Sequence, residues 1–239
     1  MAPRKHRRRR RHRRPDLAAF PSAAPSDGST RATLRLLGCE PSRSEEWAID
    51  RPEELAAARE TWPVLWVDVE GLDDPATARL IGDVFGIGEL ALEDAITPDE
   101  RPKVELFGHQ VLIAARAVRF DGHSIVTDPV CLFLGDRYVV TFRDKNAPDP
   151  FAVVRQRISH GRTRIGQEGA DALCALLMDV LVDGYFPVLE QFGDRLEDLE
   201  EEALDRPTRH ALAGIHDVRN DLMTLRRALW PTQIGRAHV

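Results

Sequence analysis

The sequence predicts an α/β fold, namely a mixed parallel and antiparallel sheet with helices on both faces, followed by a long antiparallel helical hairpin. An apolar, β-branched run at residues 64–69 is typical of a strand covered on both faces. Strand-like segments joined by tight turns follow over residues 103–144. Two long stripes of apolar residues at helical spacing, 173–199 and 211–229, then indicate the hairpin.

The first hundred residues predict short strands and short helices in alternation. ATLRLLG (32–38) and EWAID (46–50) alternate between apolar and polar residues as half-buried strands do, and RPEELAAARE (51–60) is typical of a helix. After the apolar strand at 64–69, two short helices are expected, separated by the glycines at 86 and 88. Alternating strands and helices favour parallel pairing in this part of the sheet.

An antiparallel meander is predicted next. Its strands are expected at 103–107, 110–120, 124–135 and 137–144, with a helix at 149–161. Glycine-containing turns link the strands, and such turns favour hairpins. Pro129 falls inside the third strand and predicts an edge position or a bulge, since proline cannot donate a hydrogen bond to a neighbouring strand.

The last third of the chain predicts two long helices joined by a short polar turn. Pro187 is expected to kink the first helix, and Pro207 suits the first turn of the second. The first helix ends in an acidic segment, 194–205, which contains seven acids in twelve residues.

Charge is distributed unevenly along the chain. Residues 1–14 hold nine of the 33 Lys and Arg residues and no acid, so the rest of the chain carries 24 basic and 39 acidic side chains. We predict a disordered Arg-rich arm over 1–30, a sheet domain over 31–165 and a helical hairpin over 166–233. The arm is a solvated tail or a contact for anionic lipid. Nucleic-acid binding is disfavoured because the body is acidic and has no nucleic-acid-binding motif.

Neither metal-cluster cysteines nor catalytic motifs are found in the sequence. Cys39, Cys131 and Cys174 are scattered, which favours neither a disulfide framework nor a zinc site and fits a reducing compartment. Phosphate-binding, nucleophile-elbow and zinc-hydrolase motifs are missing, so we do not expect an enzyme. The most apolar stretch contains Asp179 and Asp183, and such central acids argue against a membrane span.

Two pairs of carboxylates are candidates for cation binding. Glu93 and Asp94 end a short predicted helix, where negative charge opposes the helix dipole. Asp179 and Asp183 are four residues apart on one helical face, where like charges repel. Both pairs are explained either as solvated surface or as ligands of a hard, oxygen-preferring cation such as Mg²⁺.

A collinear series of segments over about residues 32–233 resembles the cytosolic domain of CorA-type magnesium/cobalt transporters. The segments are VLWVDVEGL, FGIGELALEDAITPDERPKVE, VCLFLGDRYVVTFRD, DPFAVVRQRI, ADALCALLMDVLVDGYFPVLE, EEALDRPT and LRRALWP. The resemblance implies an αβα funnel domain, two helices outside a long stalk helix, and two membrane helices, the first ending in Gly-Met-Asn. It also implies a homopentamer in the cell membrane.

The resemblance further implies that cytosolic acids bind Mg²⁺ between subunits, with low affinity, and favour a closed pore. In this sequence the corresponding carboxylates are Glu93 and Asp94 of the LED segment and Asp179 of the LLMDVLVD segment. Their main partner in the family is an Asp on the stalk, which this sequence lacks. Co²⁺ or Zn²⁺ is an alternative to Mg²⁺, because a related zinc-transporting branch shares the fold.

The last six residues, IGRAHV (234–239), are what one reading frame of a widely used sequencing adapter encodes. We therefore expect 234–239 to be an artefact and the gene to continue beyond Gln233 into the stalk and the membrane helices. On this interpretation the chain is the cytosolic metal-sensing domain of a CorA-like transporter without its pore. The alternative is a stand-alone soluble module that oligomerises through its helical hairpin.

Overall fold

The computed structural model describes residues 32–49, 51–71, 74–97, 101–161, 164–205 and 209–229. The predicted Arg-rich arm, the predicted turn at Pro207 and the segment after residue 229 lie outside the described residues. The strands are β1 (Thr33–Glu40), β2 (Arg43–Ile49), β3 (Val64–Glu70), β4 (Lys103–Phe107), β5 (Gln110–Phe120), β6 (Ile125–Leu134) and β7 (Tyr138–Arg143). The helices are α1 (Pro52–Thr61), α2 (Pro75–Phe85), α3 (Glu89–Ile96), α4 (Ala152–Ser159), α5 (Ile165–Glu168), α6 (Ala170–Asp183), α7 (Tyr185–Asp205) and α8 (Arg209–Leu229).

The seven strands form one mixed sheet, in the order β2-β1-β3-β7-β6-β5-β4. The β3–β7 pair is parallel, and every other neighbouring pair is antiparallel. The predicted mixed sheet is therefore confirmed. Its parallel pair is central because the chain leaves β3 through two helices and the β4–β6 meander before it returns as β7.

Helices cover both faces of the sheet, as predicted. Leu65 and Val67 of β3 pack with α1, α2 and α3 on one face, whereas Val64 and Trp66 pack with α4, α5 and α6 on the other. Six of the seven β3 side chains are buried, which is the pattern expected of a strand covered on both sides. Gly86 ends α2 in the left-handed region (φ 68°), a conformation in which glycine avoids the steric cost of a Cβ.

Pro129 lies neither on an edge strand nor at a bulge, so the prediction for this residue was wrong. Its strand, β6, lies inside the sheet, and the β5–β6 register runs through the Arg116–Pro129 pair without a bulge. The β6–β7 pairing begins only at Val130. The side of Pro129 that would face β7 therefore has no strand beside it, and the missing N–H costs no ladder hydrogen bond there.

The first long apolar stripe divides into two helices at Gly184, three residues before the predicted kink at Pro187. α6 packs its apolar side against the sheet, where Leu173, Cys174 and Leu177 are buried. Burial raises the pKa of the Cys174 thiol to about 11, so this cysteine is a protonated core residue at neutral pH.

The helices α7 and α8 form the predicted antiparallel hairpin. Arg195 of α7 pairs with Asp221 of α8 at 2.8 Å and approaches Asp217 at 3.7 Å, and a Cβ at Gly214 would meet the Leu199 side chain. Residues later in α7 contact residues earlier in α8, as antiparallel helices require.

Two buried polar groups attach the hairpin to β5 and to the start of β6. The buried Asp221 carboxylate accepts a hydrogen bond from the Ile125 backbone N–H at 3.0 Å. The Tyr185 hydroxyl donates to the Arg116 carbonyl oxygen at 2.9 Å, and burial raises the pKa of Tyr185 to about 12. Val118 and Leu225 pack in the same apolar cluster.

Much of the apolar surface of the hairpin is exposed to solvent. The exposed large apolar side chains on α7 and α8 are Phe186, Leu189, Leu196, Leu204, Leu212, Ile215, Leu222, Met223 and Leu229. A series of this length exceeds the isolated apolar residues that are common on protein surfaces, and it is typical of a surface that other helices cover.

Candidate metal centre

Glu93 and Asp94 lie in the last turn of α3, as predicted. The helix buries Ala91, Leu92 and Ala95 against the sheet, which leaves the two acids on its outer side. The Glu93 side chain is exposed, and Asp94 is partly buried. The helical periodicity that packs α3 against the core therefore also keeps both carboxylates off its core-facing side.

Asp94 forms an ion pair with a lysine side chain. The Lys103 ammonium lies 2.6 Å from Asp94 Oδ2 and 3.3 Å from Glu105 Oε2. Lys103 and Glu105 are two residues apart in β4, so their side chains lie on the same face of the sheet. We call Asp94, Lys103 and Glu105 the α3–β4 cluster. Sequence reasoning missed Lys103 and Glu105, although the alternation of KVELF was an available signal.

Asp179 lies on the exposed side of α6. It lines a shallow surface cleft together with Arg164, Glu168 and Ala175. Within the part of the chain that the structure describes, no basic side chain forms an ion pair with Asp179. Its predicted neighbour Asp183 is also exposed, so the acidic stripe of α6 faces solvent.

The structure does not bring the three predicted ligands together within one chain. α3 packs on one face of the sheet and α6 on the opposite face. Glu93 and Asp94 are thus separated from Asp179 by the full thickness of the sheet. Over the described ranges, no group of three or more His, Cys, Asp or Glu side chains is arranged to hold a metal ion.

A buried ion cluster, which sequence reasoning also missed, lies between the sheet and α4. Asp68 is 2% exposed and accepts hydrogen bonds from Arg143 Nε at 3.1 and 3.2 Å. Arg155 of α4 donates to Asp68 Oδ2 at 3.1 Å, and Thr141 donates to Asp68 Oδ1 at 2.7 Å. The sequence signal was an aspartate inside a strand predicted to be covered on both faces, because such a charge requires a buried partner.

Further residues extend the ion cluster to its rim. Arg143 also binds Glu70 at 2.6 Å, and Arg155 binds Asp149 and lies over the Trp66 ring at 4.8 Å. Burial raises the pKa of the Asp149 carboxyl, but the adjacent guanidinium groups outweigh burial and hold it below its usual value. Its contribution to stability is therefore present above an unfolded pKa of about 3.9 and is lost as the pH falls below that value.

One helical stretch of the described residues is long and apolar enough to cross a bilayer by length and composition. Within this stretch, Ala170–Leu204, an 18-residue window has a mean hydropathy of 1.8, and 33% of that window is buried. α6, within this stretch, packs against the sheet, so core packing accounts for part of this hydropathy.

The architecture defines a fold class, a mixed seven-stranded sheet with helices on both faces followed by a helical hairpin. The fold matches the soluble domain of CorA from Methanocaldococcus jannaschii with a TM-score of 0.65 and 18% identity, covering 83% of this chain and 74% of that one. It also matches the ZntB cytoplasmic domain from Vibrio parahaemolyticus with a TM-score of 0.59 and 11% identity, over 82% of this chain and 73% of that one. The predicted fold class is confirmed.

The chain belongs to the CorA-like Mg²⁺ transporter family, whose model matches residues 63–234. The cobalt/magnesium transport protein CorA of Thermotoga maritima is 34% identical over 181 residues, which cover 75% of this chain and 51% of that protein. The chain thus spans about half the length of the curated relatives it matches. Its relatives are transporters, and the family assignment made from the sequence is confirmed.

Proposed function

We propose that this chain is the cytosolic metal-sensing domain of a CorA-like transporter of Mg²⁺ or a related divalent cation. The observation that carries the proposal is Asp94, an outward-facing carboxylate that already holds the ammonium of Lys103 at 2.6 Å. Carboxylate oxygens are the ligands that Mg²⁺ prefers, and Mg²⁺ retains several waters when it binds. The side chains present therefore fit this ion.

Binding between subunits follows from the placement of the acids. Because α3 and α6 lie on opposite faces of the sheet, one chain does not supply Glu93, Asp94 and Asp179 to a single ion. In a ring of identical subunits, the α3 side of one copy faces a different side of the next copy. We propose that Glu93, Asp94 and Asp179 contribute to Mg²⁺ binding at such contacts, in part through water.

Regulation would arise from the difference in charge between the two states of the ring. Without metal, acids of neighbouring subunits repel one another and loosen the contact. With Mg²⁺ bound, coordination replaces repulsion and favours the closed arrangement by the difference in affinity between the two states. The domain would thereby report internal cation concentration to a pore in the membrane.

Lys103 should compete with Mg²⁺ for Asp94. In Lys103→Gln, the affinity for Mg²⁺ should rise about two- to fivefold, because a partly exposed ion pair of at most about 1 kcal/mol no longer opposes binding. The measurement is a Mg²⁺ titration followed through the amide NMR resonances of α3 and β4. Lys145→Gln removes the same charge from another part of the chain and should leave the affinity unchanged. Equal affinities in all three proteins would contradict the role of Asp94.

The alternative function, a stand-alone oligomerising module, is favoured by the exposed apolar side chains of α7 and α8. Sedimentation velocity in EDTA and in millimolar Mg²⁺ separates the two. The sensing proposal predicts that any association strengthens with Mg²⁺ and that Asp94→Asn abolishes this increase. The module predicts association that is indifferent to metal and is lost in Leu196→Glu, a change on the exposed side of α7.

A further inference from the structure

A second charged site lies at the end of the sheet where β3 and β7 begin, at the opposite end of β3 from Glu70 of the ion cluster. It is a cleft of about 190 Å³, which we call the basic cleft. The residues that line it are Arg59, Leu65, Phe85, His109, Gln110, Asp136, Arg137 and Tyr138. They come from the ends of α1 and α2, the start of β3, the β4–β5 turn with the first residue of β5, and the β6–β7 turn with the first residue of β7.

The floor of the basic cleft is built from buried, hydrogen-bonded residues. The Gln110 amide nitrogen donates to the Phe85 carbonyl oxygen at 2.9 Å and to the Tyr138 hydroxyl at 2.7 Å. The Tyr138 hydroxyl in turn donates to the Phe85 carbonyl at 3.1 Å. All three residues are buried, and the two aromatic rings lie 4.5 Å apart. Among the described residues, none donates a hydrogen bond to the Gln110 side-chain carbonyl, which leaves an acceptor on the floor.

The walls of the cleft are cationic. Arg59 is partly buried and fixed in place, since it donates to the Val84 carbonyl oxygen and its guanidinium carbon lies 5.6 Å from the centre of the Phe85 ring. Arg137 and His109 are exposed at the rim. Across the described ranges, no carboxylate forms an ion pair with Arg59 or Arg137, although Asp136 also lines the cleft.

This charge is opposite to that of the surrounding protein. Beyond residue 14 the chain carries 39 acids against 24 Lys and Arg side chains, whereas two arginines and one aspartate line the cleft, together with His109. Guanidinium groups bind phosphate oxygens through paired, charge-assisted hydrogen bonds. The cleft is smaller than the 300–1,000 Å³ or so of sites that enclose a whole drug-sized ligand, so it suits a single anionic group.

We propose that the basic cleft binds a phosphate group, either as inorganic phosphate or as the terminal phosphate of a nucleotide. Arg137 and His109 contact the phosphate oxygens at the rim, Arg59 supplies charge from the wall, and the Gln110 carbonyl accepts a hydrogen bond from a protonated oxygen. This site is independent of the α3–β4 cluster and of the proposed metal sensing.

The test is a titration of the full chain with sodium phosphate and, separately, with ATP. It is carried out in EDTA at constant ionic strength, with sodium chloride as the control salt. Amide NMR resonances of residues 108–110 and 135–138 report the site itself, so binding of either anion to the Arg-rich residues 1–14 does not enter the measurement. Both ligands should shift these resonances saturably if the phosphate group alone is recognised. A response to ATP only would assign the nucleotide as the source of the phosphate.

Variants then locate the contacts. Arg137→Gln and His109→Gln each change a side chain at the rim of the cleft. Arg137→Gln should weaken phosphate binding about tenfold or more, because it removes hydrogen bonds between charged groups. Asp136→Asn should strengthen binding by removing the opposing charge. Arg79→Gln, on the exposed side of α2, removes the same charge outside the cleft and should leave binding unchanged. Resonances that respond to neither ligand, or that respond equally in Arg137→Gln and Arg79→Gln, would overturn the proposal.

Discussion

Replacing Asp94 and Asp179 together by Asn, in a full-length transporter that carries this domain, should leave cation uptake running at internal Mg²⁺ concentrations at which the proposed sensing shuts off the unaltered protein. Both side chains keep their size and lose the charge that would bind the ion. Coupling between sites in regulated proteins is typically about 1–3 kcal/mol, which corresponds to roughly a 5- to 150-fold effect. We therefore expect most of the inhibition of uptake by internal Mg²⁺ to disappear.

The measurement is the initial uptake rate in cells or vesicles preloaded with low or high Mg²⁺. A matched control is Glu53→Gln with Asp171→Asn, which removes two exposed carboxylates from α1 and from the first turn of α6. The control should retain normal inhibition. Uptake that shuts off normally in the Asp94/Asp179 variant would reject the assignment of both residues as sensors, whereas the family membership would be unaffected.

Asp68→Asn should lower the free energy of unfolding by about 3–5 kcal/mol, because it leaves two buried guanidinium groups without their shared counter-charge. Arg143 and Arg155 are 3% and 6% exposed, so water does not replace the lost carboxylate. The total stability of a protein is only about 5–15 kcal/mol, so this is a large fraction of it. The measurement is urea unfolding followed by circular dichroism.

Two further variants bracket this prediction. Arg35→Gln changes a rim residue that is 4.0 Å from Asp149 and partly solvated, and it should cost at most about 1 kcal/mol. If Asp68→Asn does not fold, Arg155→Met provides an intermediate case, since Asp68 then keeps Arg143 and Thr141 as partners. A urea midpoint for Asp68→Asn as high as that of Arg35→Gln would show that the ion cluster does not stabilise the domain.

The ion cluster also helps to explain how the candidate site on α6 is positioned. Arg155 ties α4 to Asp68 of β3, and α4 packs against α6 in the same apolar cluster. The position of α6, and with it that of Asp179, therefore depends in part on the ion cluster. The sequence of α6 alone does not show this dependence. Loss of Asp68 should accordingly disturb α6 as well as the sheet.

Periodicity and turn chemistry in the sequence were sufficient to predict the helices, the strands and the fold class. The buried β3 run, the two short helices separated by glycine and the meander all emerge as predicted, since each depends on local preferences that tertiary contacts reinforce. Pro129 shows the limit of this reasoning. The missing N–H predicted an edge position or a bulge, whereas β6 is an interior strand without a bulge, and only the extent of β7 leaves Pro129 unpaired on that side.

The candidate carboxylates were also chosen from the sequence alone. They are Glu93 and Asp94 in the last turn of α3 and Asp179 on the exposed side of α6. What the sequence by itself determined was therefore the order of elements and the family, and it supplied the carboxylates proposed to bind a cation. Tertiary structure decided which charges meet: Lys103 with Asp94, Arg143 and Arg155 with Asp68, and α3 and α6 on opposite faces of the sheet. The physical reason is that periodicity reports which side of an element is buried, whereas a charge pair depends on the distance between elements far apart in sequence.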